Sequence, residues 1–159
     1  MMIEVERMAI GIAFRVTSTP PDGSRKKMTA HDVINAHWKL SNANSDGCVA
    51  FSTNIPLEST KVKNIDKIIF FSNTEKWACI ADVFAVDVSD KAFIPDFVKG
   101  HPEWIPPEFP EPRKTWFIVK NFERCDIDSL DYKIPDGSGV LKDKVIGTPR
   151  FSRVYFELR

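Results

Sequence analysis

Lys67-Ile68-Ile69-Phe70-Phe71-Ser72, then Asn73-Thr74-Glu75-Lys76, then Trp77-Ala78-Cys79-Ile80-Ala81-Asp82 running on to Val88, is the stretch on which the fold turns. Two runs rich in β-branched and aromatic residues flank four polar ones, a gap short enough for a hairpin. Upstream, Met8, Ile10, Ile12, Phe14 and Val16 alternate with smaller or polar residues, the period-two pattern of a strand with one buried face. Pro20-Pro21-Asp22-Gly23-Ser24 ends that run with turn chemistry. Thr29, with Asp32 three residues on, predicts a capped short helix over about 30–36. Ala36–Leu40 and Cys48–Ser52 read as strands on either side of the loop at 41–47.

Downstream, residues 89–113 change character, because Pro95, Pro102, Pro106, Pro107, Pro110 and Pro112 forbid a regular ladder or a helix interior. The same segment holds Phe93, Phe97, Trp104, Ile105 and Phe109, more apolar surface than a disordered linker spends, so it is expected to pack over the sheet across a pocket mouth. Thr115–Lys120 is a further strand, and Val154, Phe156 and Leu158 mark a closing one. The expectation is a single mainly β (α+β) domain over residues 1–159: a small β-barrel or strongly curved mixed sheet with one or two short helices and a long Pro-rich loop. Residues 1–30 form an N-terminal strand and basic-turn extension.

A chain of 159 residues is long enough to bury a core without disulfide or metal staples. Its 22 basic and 22 acidic side chains cancel, so attraction to nucleic acid must come from local patches such as Arg25-Lys26-Lys27. Cys48, Cys79 and Cys125, odd in number and widely spaced, read as reduced core thiols and point to the cytoplasm. Glu4 and Glu6 precede the N-terminal apolar run, against a secretory signal, and no stretch is long enough to span a membrane.

Enzyme signatures are missing: there is no phosphate-binding glycine loop, no nucleophile elbow and no His-Glu-x-x-His. His31 and His37 are six apart and His101 stands alone in the Pro-rich loop, so no metal, cofactor or catalytic residue is expected. What remains is aromatic and small polar residues at element ends: Trp38 leading to Ser41 and Asn42, Phe71 and Ser72 entering the hairpin turn, and Trp77 leaving it. Flat faces for stacking, with hydroxyls and amides for a ring edge, are what a nucleobase pocket requires.

The order Ala36-His37-Trp38-Lys39-Leu40-Ser41, then Gly47-Cys48-Val49-Ala50-Phe51-Ser52-Thr53 and Pro56, resembles the opening of PUA-like domains of the EVE, YTH and ASCH-type branch. Asp66-Lys67 before an apolar strand, then Ala78–Val83 and Arg150–Phe156, are similar to later parts of that pattern, with Ile65 where the family carries glycine. The resemblance covers about residues 34–159. It implies a pseudo-barrel whose pocket takes a flipped, commonly modified, base from RNA or DNA. Trp38, Phe71, Trp77 and Trp104 would then supply cage aromatics, Ser41 and Asn42 the base-edge contacts, and Arg150 and Arg153 the backbone contacts.

The leading expectation is a non-catalytic module that recognises a nucleobase or modified nucleotide in single-stranded nucleic acid. One alternative is a regulatory subunit that docks a protein partner through the 89–113 loop. Another is a small-molecule hydrolase of the PUA-like type using groups such as Asp82, Lys120, Glu123 or Arg150, which requires ionisable side chains to converge.

Overall fold

The computed structural model describes residues 9–19, 26–147 and 153–158. Six strands, β1 (Ile10–Arg15), β2 (Val49–Thr53), β3 (Ile65–Ser72), β4 (Trp77–Phe93), β5 (Arg113–Cys125) and β6 (Arg153–Glu157), form one sheet in the order β2-β5-β4-β3-β1-β6. The β3–β4 hairpin expected from the sequence is present, with Ser72 facing Trp77 across its four-residue turn. Lys76 in that turn adopts φ 54°, a left-handed conformation that reverses the chain. β1 lies parallel to β3 and antiparallel to β6, and the other pairings are antiparallel, so the sheet is mixed.

The expected barrel is not formed, because edge strands β2 and β6 do not pair. The sheet nevertheless curls hard. β2 stands four strands from β1, which in a flat sheet is about 19 Å at ~4.8 Å per strand. Yet the Phe51 and Phe14 rings lie 5.8 Å apart, and Phe51 meets Phe70 of β3 at 4.7 Å. Register shifts along β4–β5 at Ile80/Asp82, Val83/Ala85 and Val88/Phe93 supply local bends.

Alternation along the strands fills three clusters. Ile12, Phe14, Phe70, Phe117 and Val119 point into the concave side. Ala13, Ile69, Phe71 and Phe156 point outward, under Leu130, Ile134 and the helix α4 (Leu141–Gly147). Trp116, Ile118 and Ala50 point outward near β2, where Val98, Phe93, Ile94, Phe97, Trp104 and Ile105 cover them. The Pro-rich segment thus packs against the sheet, though mostly on its outer side, and its irregular part is shorter than expected: β4 continues to Phe93 and β5 begins at Arg113, leaving 94–112 with a short helix α3 (Asp96–Lys99) and a 3-10 turn at Pro102–Trp104.

One or two short helices were expected, and four α-helices are present among the described residues. Ala36–Leu40 is not a strand; it lies inside α1 (Ala30–Ala43), a 14-residue helix across the concave face. Its buried positions, Ala30, Val33, Ile34, His37 and Ser41, recur at helical spacing. A small helix, α2 (Ser59–Val62), also precedes β3. The turn at 20–25 and the segment 148–152 lie outside the described residues.

A capping box starts α1: the Asp32 amide donates to Thr29 Oγ1 at 3.1 Å and the Thr29 amide to Asp32 Oδ2 at 3.0 Å. Glu75 of the hairpin turn accepts from the Ala30 and His31 amides at 2.8 and 3.1 Å, so the turn fixes the helix start directly. Thr29→Ala is expected to cost about 1 kcal/mol, read as a lower urea midpoint at unchanged slope; an unaltered midpoint would mean that Glu75 alone suffices.

Candidate functional site

Because Glu75 seats the N-terminus of α1 beside the hairpin turn, the first two turns of the helix overlie the start of β4 and the end of β5. Between them lies a slot of about 160 Å³, walled by His31, Ile34, Asn35 and Trp38 from α1, by Trp77, Ala78 and Cys79 from β4, and by Arg124 from β5. A dry cavity of about 150 Å³ can hold a benzene-sized ring. The helix contributes at His31, Asn35 and Trp38, spaced four and three residues apart and so aligned on one face. Arg124 arrives because it stands opposite Cys79 in the β4–β5 register.

The aromatic walls are supported from behind. Trp38 stacks on Phe122 at 5.6 Å and 23°, and Phe122 stacks on Phe70 at 6.2 Å and 13°, so a column of rings runs from the slot into the core. Trp77 meets His31 edge to face at 5.9 Å and 85°. The Trp77 indole Nε1 is buried and has no hydrogen-bond partner among the described residues. An unsatisfied buried donor of this kind costs about 1–3 kcal/mol. Burial pushes the Cys79 thiol up to about 12, so that wall is uncharged, whereas exposed Arg124 places a cation at the rim. The slot offers aromatic walls, a carboxamide and a guanidinium.

Of the residues expected from the sequence, Trp38 and Trp77 meet in this slot and the rest do not. Phe71 is fully buried on the opposite face of the sheet. Ser41 is buried on α1 with its hydroxyl donating to the Gly47 carbonyl, and Asn42 faces solvent. Ser72 is buried and its hydroxyl accepts from the Glu75 amide at 3.1 Å, which shapes the turn rather than the slot. Trp104 covers the outer cluster, its indole donating to Asp46. Arg153 lines a separate groove with Tyr155, Glu58 and Lys61, and Arg150 lies outside the described residues. His31, Asn35 and Arg124 were not foreseen; the helical spacing of the first two with Trp38 was the available signal.

Of the acid–base candidates, Asp82 and Lys120 face each other in the β4–β5 register, and neither lines the slot. Asp82 accepts from Asn121 Nδ2 at 2.8 Å and pairs with the Lys67 ammonium, and these bonds hold its carboxyl below the ordinary range. Glu123 is exposed further along β5. A second concave site joins Thr17, Ser18, Ser52, Phe109 and Arg113 around His37, which is nearly fully buried. Among the described residues no helix is long and apolar enough to cross a membrane. Compared with known proteins, the chain matches no family model, no curated sequence and no solved structure.

Proposed function

We propose that this chain is a binding module whose Trp38/Trp77 slot takes a nucleobase, commonly a modified one, presented by single-stranded RNA or DNA. The observation that carries this reading is the convergence of Trp38 and Trp77, with Asn35 and Arg124, on an aromatic slot of single-ring size. Base edges carry donors and acceptors, and Asn35 supplies a carboxamide able to meet both. Lys39 and Lys76, both exposed and each next to a slot tryptophan in sequence, join Arg124 as cations for a short run of phosphates. A PUA-like relationship rests on the sequence resemblance alone, and its opening segment Ala36–Ser41 lies in α1.

Docking of a protein through the 89–113 loop has less in its favour. That segment spends Val98 and Phe109, both buried, and most of Phe97 and Ile105 on this chain's own core. The hydrolase alternative would need a converged acid–base pair in the slot, where His31 has Asn35 and Arg124 as its polar companions.

Short single-stranded oligonucleotides, plain and base-methylated, titrated at two salt concentrations with tryptophan fluorescence as readout, test the proposal. Saturable quenching that favours a methylated base is expected, with a shallow salt dependence reflecting few phosphate contacts. Trp38→Ala and Trp77→Ala should each weaken binding by about 5- to 150-fold, the equivalent of ~1–3 kcal/mol per stacked base. No quenching up to about millimolar oligonucleotide, or full affinity in both variants, would overturn the proposal.

A further inference from the structure

The turn between α1 and β2 and the Pro-rich segment are distant in sequence, yet the fold brings Asp46, His101 and Glu103 together at the surface. One ligand-capable atom from each lies within 4.8 Å of the other two. We propose that Asp46, His101 and Glu103 form a site for a borderline divalent cation, zinc in particular, that clips the Pro-rich segment to the α1–β2 turn.

Three features set this group apart from a chance meeting of exposed charges. The donor set is mixed, one imidazole and two carboxylates, which favours zinc and its transition-metal neighbours over calcium or magnesium with their all-oxygen shells. The ligands are already oriented by outer contacts. Trp104 Nε1 donates to Asp46 Oδ2 at 2.9 Å, the Cys48 amide donates to Asp46 Oδ1 at 3.0 Å, and the His101 ring lies parallel to Trp104 at 4.0 Å and 10°. Such outer partners are what hold metal ligands in place. Finally, the two chain segments are independently tied: Asn44 Nδ2 donates both to the Cys48 carbonyl and to the Glu103 carbonyl, each at 2.9 Å, so little ordering remains for a metal to impose.

The distances suit a small closure. Zinc bonds of ~2.0–2.2 Å in tetrahedral geometry set ligand atoms about 3.3–3.6 Å apart. His101 Nδ1 and Glu103 Oε1 are already 3.0 Å apart and no pair of the three ligand atoms exceeds 4.8 Å, so a closure of about an ångström brings in Asp46. Water would fill the fourth position, since all three residues face solvent. The role of Trp104 is then to position Asp46 and His101.

Zinc chloride titrated into the chelator-treated full chain by calorimetry, with cobalt(II) absorption as a second probe, tests the site. The expected result is one ion per chain at micromolar affinity, with a raised Tm. His101→Ala and Glu103→Gln should each abolish binding in that range, and Trp104→Phe should weaken it about 10- to 100-fold through lost positioning. His101→Ala is the cleanest variant, since its Nδ1 bonds a side chain and not the main chain. Absence of zinc binding at millimolar concentration, or unchanged affinity in His101→Ala with native circular dichroism, would overturn the proposal.

Discussion

Replacing Phe156 with alanine is expected to destabilise the protein by about 3–5 kcal/mol, a large share of the ~5–15 kcal/mol that holds a domain of this kind together. Phe156 is fully buried on β6, where it packs with Ala13, Ile69, Leu130, Leu141 and Val145 and meets the Tyr132 ring at 4.7 Å. Its cross-strand partner is Gly11, and the ring lies directly over that glycine, so a methyl group there would fall inside it. Gly11→Ala must therefore displace the ring and is expected to cost about 1–3 kcal/mol or more, although an alanine suits a strand backbone. The double variant Gly11→Ala/Phe156→Leu should cost less than the sum of its parts, because the smaller side chain vacates the space. Urea unfolding checks all three. A Gly11→Ala protein within about 0.5 kcal/mol of the parent would show that β6 does not sit on β1 as described.

The same pairing marks a limit of what sequence patterning conveys. The β3–β4 hairpin was legible because its strands are adjacent and its apolar residues unbroken: Ile68, Phe70 and Cys79 face one core while Ile69, Phe71 and Ala78 face another. That β1 would insert between β3 and β6, parallel to the first and antiparallel to the second, is a long-range choice, made by complementary surfaces such as Gly11 and Phe156, and no local signal carries it. β4 ran past its expected end for a related reason. Asp87, Ser89, Asp90 and Lys91 are exposed, so a ribbon held by its partner strand looks like a loop in composition.

α1 was misread for a reason specific to its residues. Its capping box was visible in Thr29 and Asp32, but two of its buried positions, His37 and Ser41, are polar, which broke the apolar stripe and left Ala36–Leu40 looking alternate. The error propagated to the site, since a strand from Ala36 separates Trp38 from the helix that carries His31 and Asn35, whereas the continuous helix aligns all three. Trp38 and Trp77 could be nominated from residue type alone. Their convergence, and the arrival of Arg124 from β5, follow from the sheet's curl and the Glu75 anchor.

His37 itself should make the fold acid-sensitive in a defined window. The ring is nearly fully buried, with Nδ1 2.7 Å from the Val33 carbonyl, and lies between Phe109, stacked at 5.4 Å and 25°, and Phe51 at 5.5 Å. Burial pushes its pKa from the ordinary 6.5 down to about 4, with the Val33 bond opposing and the Arg113 charge assisting. Between those two pH values the unfolded chain binds a proton that the folded chain refuses, so stability falls as pH drops from about 6.5 to about 4 and levels off below. At ~1.4 kcal/mol per pH unit, the loss is about 3 kcal/mol across that window. The lowered carboxyls of Asp32, Asp46, Asp82, Glu103 and Asp136 act in the same direction, but as acids their contribution is lost below their unfolded values, near or under pH 4. His37→Phe preserves an aromatic ring and removes the titration, so its urea stability should be nearly flat from pH 6.5 to 4.5 while the parent declines. Parallel curves for the two proteins would place the acid sensitivity elsewhere. Because Phe109 reaches the concave core by stacking on His37, protonation there would also loosen the hold of the Pro-rich segment on α1, the helix that forms one wall of the slot.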